Sequence, residues 1–260
     1  MEKSSNTKNG NHKNPLKFNW ILPTLFTPKR ATDQITAAEK PVWLTPLLVV
    51  SVMIMIAVFV AGPIRKNAIL MNQNMPEGFE YYSADQQAAF MSGQANRVSP
   101  LFLYIFPILT GLGGLWISWF LLSSLLHLSL TLSGSRASNV RSYNLAGWSF
   151  LPLAVKQLVQ IIAMLATKAV ITSPGLSGFM AADVKGFAAF FSAMLGLIDI
   201  YLIWQMVILF VGVGSLSGLS KSKAGLATVI SLLVLILLQT LPGFLSHALS
   251  GISTSMPFFF

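Results

Sequence analysis

Hydrophobic positions fall in five long runs, without the 3.6-residue stripe of a soluble amphipathic helix. Pro41–Pro63 carries no charge, Pro100–Leu132 only His127, Trp148–Thr172 holds Lys156 and Lys168, Phe187–Val213 holds Asp199, and Ala224–Phe244 is again uncharged. About 20 apolar residues cross a ~30 Å hydrocarbon core, so each run is predicted to be a transmembrane helix. The second run, at 33 residues, is longer than a crossing needs. Pro107 with Gly111, Gly113 and Gly114 predicts a bend there. Residues 1–40 are polar, and the first 13 hold nothing apolar to bury, which predicts disorder. Leu16–Phe26 mixes Leu16, Phe18, Trp20, Ile21, Leu22, Leu25 and Phe26 with polar residues. That pattern predicts a segment lying in the headgroup layer, anchored by Trp20, with Lys13, Lys17, Lys29 and Arg30 facing anionic lipid. Between the first two runs, 64–99 reads as a loop with a short helix over Tyr81–Met91.

Composition excludes a soluble enzyme: 54% of the 260 residues are hydrophobic and 10% charged, against roughly 25% charged in soluble domains. A mean hydropathy of +0.68 agrees. The expected fold is an all-α integral membrane protein, a five-helix bundle with a short interfacial N-terminal segment. Its expected organisation is a polar N-terminus over 1–40, a membrane domain over 41–245 and a tail over 246–260. The first apolar run begins only at Pro41, which reads as an uncleaved anchor and not a signal peptide. The +9 net charge belongs to topology and not to nucleic acid, because most lysines and arginines flank the runs. With the N-terminus in the cytoplasm, inner segments hold eleven basic residues and outer segments five, Lys156 being left inside a helix. The positive-inside rule then predicts N-terminus in, C-terminus out.

Asp199 is the sharpest candidate, since a carboxylate at membrane depth is costly and needs a partner. Lys156 in the third run is the obvious one, although straight helices separate the two in depth by ~9 Å at 1.5 Å rise. A contact joining the third and fourth spans is the leading reading, and a proton or ion site the alternative. Gln205 and Gln239 extend a polar seam or simply form interhelical hydrogen bonds. His127 reads as a satisfied histidine near a helix end. Three scattered histidines and no cysteine make no metal site, and no cofactor is expected. Gly212–Gly218 is rich in small residues but lacks the strand and Lys-Ser/Thr ending of a phosphate loop. Gly175-Leu-Ser177-Gly178, with His247, looks like a rhomboid-type serine protease dyad, but the sixth core helix and the His-x-x-x-Asn oxyanion element are missing.

Several of these residues also form a family pattern. Asp199, Tyr201 and Trp204, followed by Gly212 and the Gly218-Leu-Ser-Lys-Ser-Lys-Ala224 turn, resemble the bacterial branch of the Yip-domain family, the Ypt/Rab-interacting-type membrane proteins. Trp116, His127 and Gly134 match its Trp-His-Gly element, and Gly147-Trp148-Ser149-Phe150-Leu151-Pro152 is similar to its Gly-Tyr-Ser-x-x-Pro element, with Trp in place of Tyr. The Phe26-Thr27-Pro28-Lys29-Arg30 lead-in also fits. The resemblance covers about residues 25–245 and implies five spans, a cytoplasmic N-terminus and a non-enzymatic membrane subunit. Eukaryotic members associate with Rab-type GTPases, but their Asp-Leu-Tyr-Gly-Pro element has no counterpart here, which argues against that partner. Some bacterial members are accessory subunits of macrolide-exporter-type ABC transporters that confer resistance to toxic peptides. The expected function is therefore an accessory or scaffold subunit in the bacterial inner membrane, packed against other membrane subunits such as an ABC exporter. A small transporter or channel using Asp199 is the competing class.

Overall fold

The computed structural model describes residues 16–71, 79–171, 175–180 and 187–250. Two short helices, α1 (Ile21–Phe26) and α2 (Pro28–Ala37), precede α3 (Leu44–Met71). An outer helix α4 (Ala84–Arg97) leads to α5 (Phe106–Leu132), followed by α6 (Asn139–Ser149) and α7 (Leu151–Thr167). The chain ends with α8 (Phe187–Leu197), α9 (Ile200–Ser217) and α10 (Lys221–Ser250). Five helical stretches are long and apolar enough to cross a membrane: Leu44–Met71, Leu101–Leu132, Asn139–Thr167, Ile200–Ser217 and Lys221–Pro242. The five-span helical bundle expected from the runs is the one observed, and the described residues contain no strand.

Three boundaries differ from the reading of the runs, each for a local reason. The second span stays helical through its glycines, and its irregularity is a π-helical turn over Leu101–Ile105, closed by the Phe106 N–H on the Leu101 carbonyl. Pro107 follows directly, has no N–H to give back, and its ring crowds the preceding turn, so the ladder widens just before it. The third span starts nine residues earlier than Trp148, at Asn139, and is interrupted at Phe150, where α6 stops and α7 begins. Pro152 occupies the first turn of α7, where its missing N–H costs nothing. The fourth run, read as continuous over Phe187–Val213, is broken at Ile198–Asp199. Gly175 (φ 58°) lets the turn over Gly175–Phe179 close on that break, its neighbour Leu176 donating its N–H to the Ile198 carbonyl at 3.1 Å. Smaller differences are that α3 runs through Pro63 to Met71, α4 is longer than Tyr81–Met91 and α10 reaches Ser250, five residues into the expected tail.

Successive spans run in opposite directions. Val42 meets Trp148, while Ala57 and Ala61 pack with Ile161 and Met164, so α3 and α7 run parallel. The α5 helix lies antiparallel to α3, with Gly62 under Tyr104 and Gly111 facing Ile54. Schellman bonds end α5: Gly134 (φ 99°) and Ser135 return N–H groups to the Thr131 and Leu130 carbonyls. Leu122, Leu126, Leu145, Leu209 and Val213 are fully buried where α5, α6 and α9 meet. The outward residues of every span, such as Phe59, Ile117, Ile162 and Leu233, are exposed apolar side chains that lipid would cover.

Candidate functional site

The Gly147–Pro152 stretch stands where α6 meets the start of α3. A Cβ on Gly147 would lie 2.7 Å from Cβ of Trp43, so only glycine lets the two backbones approach this closely. Trp43 stacks against Trp119 at 4.3 Å and meets Trp116 edge-on at 6.1 Å. Trp148 is fully buried and donates its Nε1–H to the Val42 carbonyl at 3.1 Å. Asn144, also fully buried, accepts from the Val42 N–H at 2.8 Å and donates to the Lys40 and Ala38 carbonyls at 3.0 and 3.4 Å. One amide side chain thus satisfies three backbone groups of the 38–42 connection, groups that helix hydrogen bonds do not reach.

The same region holds the N-terminal helices. The α2 helix buries Ala31, Thr32, Ile35 and Thr36 against α6 and α9, and α1, with Thr24 buried, meets α7. Trp20 lies 5.7 Å from Trp148, Trp204 donates to the Leu25 carbonyl at 3.2 Å, and Arg141 donates through Nε to the Thr36 carbonyl. Ser215 donates to Asp33 at 2.5 Å. The segment expected to lie in the headgroup layer is a helix pair packed against the third and fourth spans. Phe18, Leu22 and Phe26, four residues apart, point outward, and Lys29 and Arg30 are exposed beside them. Lys17 is half-buried, its N–H on Thr45 and its ammonium 6.0 Å from the Trp20 ring, and Lys13 lies outside the described residues.

Lys156 and Asp199 come together. Their charged atoms are 2.7 Å apart, and the side chains keep 22% and 12% of their exposure. The depth gap closes because the third span begins at Asn139, which puts Lys156 17 residues in from that end against 18 for Asp199 counted back from Ser217. Asp199 itself is not inside a helix. It is the N-cap of α9, in extended conformation, and its Oδ1 accepts the Leu202 N–H at 2.8 Å. The carboxylate thus receives both a lysine and a helix N-terminus, two favourable partners for a charge at this depth. The nearby amides are matched to hydroxyls. Gln205 reaches Ser149 at 3.5 Å and Gln239 donates to Ser118 at 2.6 Å. His127 has its Nδ1 3.4 Å from Ser142. No group of three or more metal-ligating side chains forms among the described residues. Ser177 lies in the turn over Gly175–Phe179, whereas the His247 side chain lies outside the described residues.

Asn144, Trp43 and Arg141 were not singled out in the sequence. Asn144 lies upstream of the apolar run, where it reads as loop; the signal that could have marked it is its place three residues before Gly147.

This arrangement defines a class: a five-span, all-helical membrane protein whose N-terminal helices are bound back onto its third and fourth spans. Within that class the chain belongs to the Yip1 domain family, whose family model matches residues 23–241. No curated protein and no solved structure matches it.

Proposed function

We propose that the chain is a non-enzymatic scaffold subunit that packs its apolar outer faces against a partner membrane protein, an ABC exporter for toxic peptides or lipophilic compounds. The observation that supports the reading is how the intramembrane polar groups are arranged. Lys156 meets Asp199, Gln205 meets Ser149, and Gln239 meets Ser118, so these groups join helices of one chain. A permeation path instead displays facing polar groups along a cavity. The family resemblance supplies the exporter, together with a bacterial inner membrane and a cytoplasmic N-terminus. Purification in mild detergent followed by mass spectrometry tests the reading. The expected result is stoichiometric recovery of an exporter's membrane and ATPase subunits.

A second reading has one observation in its favour. Discontinuous spans with a charged pair at the break are the architecture of ion-coupled transporters, and α8–α9 with Lys156 and Asp199 has that form. Proton or sodium flux into vesicles holding the pure protein, lost in Asp199→Asn, would favour transport over scaffolding.

A further inference from the structure

An open cleft of ≈ 510 Å³ lies between the end of α2 and the start of α6, lined by Ala37, Glu39, Arg136, Ser138 and Arg141. Two features of its guanidinium groups are unusual for an internal contact. Arg141 gives its Nε–H to the Thr36 carbonyl, which fixes the side chain, while none of the described residues takes a hydrogen bond from its terminal nitrogens. Arg136 is exposed, and no carboxylate of the described residues lies within ion-pair distance of either arginine. Glu39 shares the cleft but is not ion-paired with either arginine.

The cleft is at a membrane boundary. Leu132, 79% exposed, ends the apolar α5 four residues before Arg136. Ser135 donates to the Ser217 carbonyl at 2.9 Å, which puts the end of α9 and the basic start of α10, Lys221 and Lys223, at the same level. Apolar side chains below and cations above make the environment of a lipid phosphate.

We propose that this cleft seats the phosphodiester of an anionic phospholipid between Arg136 and Arg141. Guanidinium forks match phosphate oxygens in geometry as well as charge. Two arginines and one carboxylate leave a single positive charge, which one phosphodiester balances. Glu39 and Ser138 then take hydrogen bonds from and to headgroup hydroxyls, which selects a glycerol-type headgroup. The site is independent of which membrane protein the bundle packs against.

Native mass spectrometry of the delipidated full chain, titrated with phosphatidylglycerol, tests the assignment. One lipid is expected to be retained in preference to phosphatidylcholine. Arg136→Gln removes no hydrogen bond or ion pair among the described residues and is expected to weaken retention roughly five-fold with unchanged thermal unfolding; adding Arg141→Gln is expected to weaken it by a similar factor again. Phosphatidylethanol, which has the phosphate but no headgroup hydroxyl, is expected to bind several-fold less tightly; equal binding would overturn the roles of Glu39 and Ser138. Unchanged retention in Arg136→Gln, or no preference over phosphatidylcholine, would overturn the site. Displacement of the lipid by millimolar inorganic phosphate would make the ligand a soluble phosphate and overturn the lipid.

Discussion

Asp199 holds a helix N-terminus and a lysine at once, and substitutions separate the two roles. Asparagine caps well but leaves the Lys156 ammonium without its counter-charge, at a cost of about 1–3 kcal/mol. Leucine also removes the cap, at about 0.5–2 kcal/mol more. Asparagine paired with Lys156→Met strands no charge and is expected to recover most of the loss. Thermal unfolding in detergent should rank the variants in that order, and equal midpoints for asparagine and wild type would mean the pair contributes nothing. Glycines give a second residue-scale contrast. A methyl on Gly147 meets Trp43 Cβ at 2.7 Å and its backbone at 3.2 Å, whereas one on Gly212 meets side-chain atoms alone, Leu145 Cδ1 closest, with Cδ2 and Cγ at 3.0 and 3.2 Å. Gly147→Ala is therefore expected to cost about 1–3 kcal/mol and Gly212→Ala clearly less, because a leucine tip can turn away and a helix axis cannot. The same thermal-unfolding measurement would show the reverse order if α3 were free to slide. At this scale Lys156 and Asp199 were legible, since lone charges in apolar runs need partners. Asn144 was not, because its partners are the backbone groups of a connection 102 or more residues away.

At the scale of elements the spans were legible in number but not in where they break. An apolar run signals burial in lipid and says nothing about whether the hydrogen-bond ladder is continuous. Pro152 and Asp199 mark the two breaks, yet each also fits inside an unbroken span, one as a tolerated proline and the other as a paired acid. The outer helix shows the opposite case, with its start written in Ser83 and Gln86, which form a reciprocal capping box. Ser83→Ala is expected to cost about 1 kcal/mol locally. Amide exchange across α4 should speed up roughly five-fold while the bundle melts unchanged; a lowered midpoint would tie α4 into the core. Asn144→Leu tests the other connection. It leaves the Val42 N–H and Lys40 carbonyl unpaired, and exchange is expected to rise across α1 and α2 before any other helix.

For the whole molecule, if all five candidate spans of the described residues cross, the two ends lie on opposite sides of the bilayer. The native chain has no cysteine, so Ser83→Cys introduces a single reactive thiol. With the cytoplasmic N-terminus predicted from charge, that thiol is expected to react with an impermeant reagent in intact cells, and a reporter fused after Phe260 to be active outside. A protected thiol would reverse the orientation.

The N-terminal helices acquire their neighbours late. Leu25 binds Trp204, 179 residues further along the chain. At a ribosomal rate of about 5–20 residues per second, that partner emerges roughly 9–36 s after the segment itself. Helices made well before α9 are thus among the last to dock. In the interval Phe18, Leu22 and Phe26 are free to rest in the lipid surface beside the insertion machinery. A ribosome-stalled chain ending before α9 should therefore expose α1 and α2 to protease, and one ending well past α10 should shield them.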